Sequence, residues 1–403
     1  MRRLTRFAVG VLAVTGFVAL GLYFHSVAQD KQKPVRPQFA AAPGSPVAVG
    51  PMAQKILVAD MNGDGNPDIV LTCGGTTQSK PDPKKGFVAL LFGDGRGGYK
   101  LAQPLIAIGA DGLKAAVGDL NGDKRPDIVV IAHDSYTATL LLQDERGRFD
   151  AERKQTVQAS KGDHPHTHDV AVADVNGDGN LDILTTNEDD GNVSVLLGDG
   201  AGRFEPAKGS PFAAGRHPYE GLSVGDLNGD TKPDVVVPNI LGKAVSILLG
   251  DGAGGFSAAR GSPLAVGDRP GFVTLGDLTG DSKLDIVATH DDDPIIHILA
   301  NDGRGGFRPT AGSPVKLQEK VWGAVIADIN ADGKNDLVLG AKKGHVVLLL
   351  GDGKAGFDKD PVLVPVGGKA PGNIAVADVN RDGKLDLVTS NYESGDVSVL
   401  LQR

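Results

Sequence analysis

The chain has 403 residues, with 41 Lys and Arg against 50 Asp and Glu and a formal net charge of −9. An acidic chain without a basic run is a poor nucleic-acid binder, so nucleic acid is set aside as a partner. The single cysteine, Cys73, leaves no internal disulfide; it is read as a loop residue without a chemical role.

The chain opens with Arg2, Arg3 and Arg6, and residues 7–24 are apolar and uncharged. Ser26 and Ala28 then place small residues at −3 and −1 of a cleavage site before Gln29. Residues 1–28 read as a bacterial-type signal peptide. The apolar run is also just long enough to span a bilayer as an uncleaved membrane anchor. Either way the rest is exported, to the periplasm, the cell surface or the medium. Membrane contact is expected only through such an anchor. Residues 29–38 are polar and proline-rich, a linker.

From residue 39 the chain repeats. One nine-residue stretch, clearest as Asp174-Val175-Asn176-Gly177-Asp178-Gly179-Asn180-Leu181-Asp182, occurs seven times. Its first Asp falls at 60, 119, 174, 226, 277, 328 and 378, a period that settles near 50 residues. Apolar, β-branched runs flank each copy, so the loop joins two strands. Strand-like segments with such a period mean a solenoid or a propeller.

Oxygen side chains stand at positions 1, 3, 5 and 9 of the loops. They are Asp60, Asn62, Asp64 and Asp68, then Asp119, Asn121, Asp123 and Asp127, then Asp174, Asn176, Asp178 and Asp182. Asp226, Asn228, Asp230 and Asp234 follow, then Asp277, Asp281 and Asp285 with Thr279 at position 3. Asp328, Asn330, Asp332 and Asp336 come next, and Asp378, Asn380, Asp382 and Asp386 are last. Hard cations such as Ca²⁺ take six to eight oxygens, several of them anionic. Without an ion these carboxylates repel one another. Structural Ca²⁺ at several loops is therefore expected. Gly65, Gly179, Gly333 and Gly383 supply the left-handed turn at position 6; Lys124, Thr231 and Ser282 replace glycine there. Repeats 1, 3 and 7 are expected to bind best and repeat 5 worst. The competing reading is that Asp, Asn and Gly simply make good turns.

The seven loops in register resemble the FG-GAP/VCBS repeat family, which includes the propellers of integrin α subunits. The resemblance covers residues 39–403. It implies an all-β, seven-bladed β-propeller with Ca²⁺ loops in its hairpins, used in the family for adhesion, ligand binding or as an enzyme accessory.

Each blade then reads as a strand before the loop, a strand after it, a third of the Val-Ser-Ile-Leu-Leu type, a Gly-Asp-Gly turn and a fourth strand. Residues 39–50 match 204–215 and 256–267, which follow that turn, whereas the chain ends at Arg403 where the turn is due. The N-terminal strand is thus expected to complete the last blade and close the ring, leaving no open end to cap. A monomer is expected.

The nine-residue loops and Gly-Asp-Gly turns share one face, the bottom. The other connections share the top. Length varies only there, with about nine extra residues near 74–83 and four between Phe149 and Asp174. Variable loops over a uniform scaffold mark a binding face. His164, His166 and His168 share one approach to an innermost strand and could converge on a transition metal. Tyr219, Glu220 and Trp322 stand on equivalent approaches, all expected to be exposed at the channel mouth. A site for a protein or small-molecule ligand is read there, centred on these six residues. The alternative is a propeller hydrolase or lyase with acid/base residues at the mouth, although no recognised catalytic motif is present. Aromatic residues make up 5% and Trp322 is the sole Trp, which argues against a multivalent sugar binder.

Overall fold

The computed structural model describes residues 35–74, 86–108, 112–133, 135–160 and 166–403. Residues 1–34, read above as a signal peptide and most of a linker, lie outside them, as do the extra residues from 75 on and His164. No helix among the described residues is long and apolar enough to cross a membrane.

Seven antiparallel sheets form a ring, six built from one repeat each and the seventh from the last repeat and the N-terminal segment. Blade 3 is typical, with strands Thr167–Ala173, Asp182–Asn187, Asn192–Gly198 and Phe204–Pro206, the outermost continued by Phe212–Ala213. All six residues of Asp182–Asn187 are buried, as they are in the equivalent strands of five other blades. These strands are buried because both faces of a blade pack on neighbours, so they read as continuous apolar runs rather than alternating ones. The core is accordingly divided into seven clusters, one per blade junction.

Cys73 is corrected by this packing. It ends the strand Asp68–Cys73 and is fully buried, where burial pushes its thiol up to about 12. The apolar run before it simply continues through it.

The ring closes as the displaced segment predicts. Phe39–Ala41 pairs with Asp396–Gln402, Phe39 opposite Gln402, and Val47 lies opposite Val397. In blades 3, 4 and 5 the hydroxyls of Ser210, Ser262 and Ser313 accept the amides of Val195, Ile247 and Ile298 on the third strand. Ser45 makes the same bond to Val399, at 2.8 Å, across the two ends of the chain. The core at that junction joins Val388, Val397 and Val399 of blade 7 to Ile56, Ile69 and Leu71 of blade 1.

Deleting residues 39–50 removes this outer strand and leaves Asp396–Gln402 as an unpaired edge, a template for association. The shortened protein should melt well below the full ring or self-associate, as read by calorimetry with light scattering. A monomer with unchanged melting temperature would rule out closure by the chain ends.

Candidate functional site

On the bottom face, position 2 of every loop is an apolar residue, from Met61 to Val379, at most 2% exposed. Its amide donates to one oxygen of the position 9 Asp, and the end of the third strand donates to the other. The position 9 carboxylates are 0% exposed in all seven repeats. Burial pushes Asp68, Asp127, Asp182, Asp234 and Asp386 up to about 6 and Asp336 to about 7. At position 1, Asp174 accepts the amides of Gly177, Asp178 and Gly179.

The donor set at positions 1, 3 and 5 is all oxygen and fits a hard divalent cation. The fit differs between loops at position 7. In repeats 1 and 3 the position 5 carboxylates of Asp64 and Asp178 accept the backbone amides of Asn66 and Asn180 and the side-chain amides of Asn62 and Asn176, with no Lys or Arg in an ion pair on them among the described residues. In repeat 2, Arg125 reaches Asp123 at 2.5 Å, and in repeat 5, Lys283 reaches Asp281 at 2.8 Å. Lys334 lies 3.7 Å from Asp332 in repeat 6. A tethered cation there competes with a free one. Position 6 adopts φ of 68° at Lys124, 70° at Thr231 and 64° at Ser282, a left-handed backbone that disfavours side chains, the β-branched Thr most.

On the top face, His166 and His168 flank the start of the innermost strand of blade 3. Their partner is His133, from the loop after Asp127–Ala132 of blade 2. The His166 and His133 Nε2 atoms are 2.6 Å apart, and those of His166 and His168 are 3.1 Å apart. Glu188 Oε2, from the loop after Asp182–Asn187, lies 2.7 Å from His168 Nε2. His217 Nδ1 approaches Glu188 Oε1 at 3.3 Å. Burial works against the Glu188 charge, but His168 and His166 outweigh it and hold its pKa below the ordinary glutamate value. The Tyr219 ring covers His168 with centroids 4.2 Å apart.

The channel beneath carries buried charge. Lys114 of blade 2 reaches across blade 3 to Glu220 of blade 4, Nζ to Oε2 2.8 Å, with the Lys side chain 5% exposed. Burial opposes both charges, yet the pair holds Lys114 above and Glu220 below their ordinary values. Lys55 of blade 1 is pulled down by burial, with Asp169 and Glu220 acting against that. Asp169 Oδ2 accepts the amides of Gly221 and Leu222, tying blade 3 to blade 4.

The structure thus brings His166, His168 and Tyr219 together and links Glu220 to the channel instead. Trp322 sits apart from them among residues of blades 6 and 7, its ring 6.2 Å from Tyr392 with Lys342 4.9 Å above it. His168 is corrected from exposed to buried, at 5%, because its neighbours Tyr219 and His166 cover it. Four partners went unnamed as site residues: His133, Glu188, Lys55 and Lys114. The two lysines had a signal, since each interrupts an apolar innermost strand five residues before the loop.

Glu220→Gln strands the buried Lys114 ammonium and should lower stability by roughly 1–3 kcal/mol in denaturant melts. Adding Lys114→Met should recover part of the loss, since groups in contact couple by roughly 0.5–3 kcal/mol. Strictly additive effects would show that the pair does not interact.

Matches to known proteins agree on the fold. No curated protein matches the chain. Among solved structures, an Agrocybe aegerita lectin that recognises non-reducing terminal N-acetylglucosamine is 18% identical, with TM-score 0.53 over 85% of this chain and 86% of that one. BBS1N, solved in complex with ARL6DN, is 11% identical, with TM-score 0.61 over 92% and 98%. The periplasmic gluconolactonase PpgL of Pseudomonas aeruginosa is 16% identical, with TM-score 0.54 over 77% and 85%. At such identities the likeness is one of fold. The sequence model of the FG-GAP-like repeat matches residues 60–130, 119–185, 174–237, 277–339 and 328–389. These stretches take in well over half of the chain, which therefore belongs to the FG-GAP-like repeat family.

Proposed function

We propose that the protein is an exported, calcium-stabilised propeller that holds a ligand or partner at its top-face mouth. One observation carries the reading: His133, His166, His168, Glu188 and Tyr219 converge there from three blades, whereas the bottom face repeats one hairpin seven times. A rigid ring loses little ordering entropy on binding, which suits recognition. Export rests on the basic and apolar character of residues 1–28. The binding reading is preferred to the enzyme alternative because Glu220 is held ionised by Lys114 and is poorly suited to serve as an acid.

The solved neighbours suggest the first probes, glycans ending in N-acetylglucosamine and glucono-lactone, within a broader set of sugars, acids and peptides. Thermal shifts produced by a probe should shrink in His166→Ala and Tyr219→Ala and persist in Asp178→Ala on the opposite face. Shifts that survive the top-face changes but vanish in a folded Asp178→Ala would place the ligand elsewhere.

Calcium should raise the melting temperature, since a ligand at a hundredfold excess over Kd stabilises by roughly 2.7 kcal/mol per site. Asp64→Ala and Asp178→Ala should blunt the effect more than Asp281→Ala, whose partner Lys283 already neutralises it. Identical melting in EDTA and in millimolar Ca²⁺ defeats the calcium role.

A further inference from the structure

Among the described residues, the ligand atoms of His133, His166 and His168 all lie within 4.8 Å of one another. Glu188 Oε2 adds a fourth donor, 2.7 Å from His168 Nε2. We propose that these four side chains bind one divalent transition-metal ion on the top face, with Zn²⁺ the natural occupant. Its use as the anchor for a ligand rests on the function proposed above; its existence does not.

Proton accounting supports the site. A neutral imidazole has one N–H and one lone pair. His166 Nδ1 faces Asp189 Oδ2 at 3.2 Å and Glu188 Oε2 at 3.4 Å, which draws its proton to that nitrogen. Its Nε2 lone pair then points at the other two imidazoles. Protons can bridge these four donor atoms only in pairs. One divalent cation bridges all of them.

Donor chemistry selects the metal. Three imidazoles and a carboxylate suit borderline ions such as Zn²⁺, Co²⁺, Ni²⁺ and Cu²⁺, whereas Ca²⁺ prefers oxygen throughout. Metal–nitrogen bonds of about 2.0–2.1 Å in a tetrahedron place neighbouring donors roughly 3.3 Å apart. The contacts of 2.6, 2.7 and 3.1 Å therefore widen by roughly 0.2–0.7 Å on uptake. The supporting partners are also in place. Asp189 holds the far nitrogen of His166, and His217 approaches the other oxygen of Glu188. Such outer partners fix ring orientation and are worth about 10–100-fold in affinity.

The test is a Zn²⁺ titration of chelator-stripped full-length protein by calorimetry, in millimolar Ca²⁺ to keep the bottom loops filled. About one equivalent should bind, and Co²⁺ should give the visible absorption of a tetrahedral site. His133→Ala and His166→Ala, both at partly exposed positions, should remove binding while keeping the metal-free melting temperature. Asp189→Asn should weaken it about 10–100-fold. Asp178→Ala should leave it intact. Failure of the wild type to bind Zn²⁺, or undiminished binding by the two histidine variants, overturns the site. If Zn²⁺ binds but stripping it leaves the probe-induced thermal shifts of the top face unchanged, the site stands and its anchoring role falls.

Discussion

The buried Asp at position 9 is the interaction on which the propeller depends. In each of seven repeats its two oxygens take two backbone amides, at 2.7–3.0 Å. One amide belongs to position 2 of the loop and the other to the end of the third strand. The bond thus fastens the hairpin of the first two strands to the third. It also seats the position 2 side chain in the core between blades. The carbonyl of that residue then receives a donor from the next blade, as when Ala355 binds Leu278 at 2.8 Å and Asn301 binds Leu227 at 3.0 Å. A buried carboxylate is costly, and the raised pKa values express that cost. Two charge-assisted hydrogen bonds each offset it.

This node explains the division of labour between the faces. The bottom hairpins are held on every side, so their lengths stay uniform and their variation is confined to side chains such as those at positions 6 and 7. Among the described residues the top connections carry no such repeated staple. They are free to differ, and they hold the histidines, the acidic loop at Glu188–Asp189 and the only Trp. The same ring therefore presents hard oxygen donors on one face and imidazoles on the other, two environments suited to different cations.

The channel between them is occupied by charge rather than water-loving surface alone. Lys114 and Glu220 pair across a blade, Asp169 caps amides of blade 4, and Lys55 lies nearby with its charge disfavoured by burial. Such a group is sensitive to loss of any one member, because the remaining charge is left in a low-dielectric site. It fixes how the innermost strands of blades 1 to 4 face one another beneath the histidine cluster.

The repeats alone determined the architecture. Seven loops in register count the blades, and residues 39–50, displaced from the end of the chain to its beginning, foretell the closure that Ser45 and Val399 make. Both signals are local patterns of type and spacing, and register in a sheet with two buried faces follows directly from them. Position 7 was open to the same reading, since Arg125 and Lys283 lie two residues from the carboxylates they neutralise. Only the tertiary structure decided the site. His133 stands 33 residues from His166, and Lys114 stands 106 residues from Glu220. Nothing in local periodicity states the distance between innermost strands of different blades; that depends on ring curvature. The same curvature buries His168 under Tyr219 and sets Trp322 among residues of blades 6 and 7, although the sequence gives His168 and Trp322 equivalent places in their repeats.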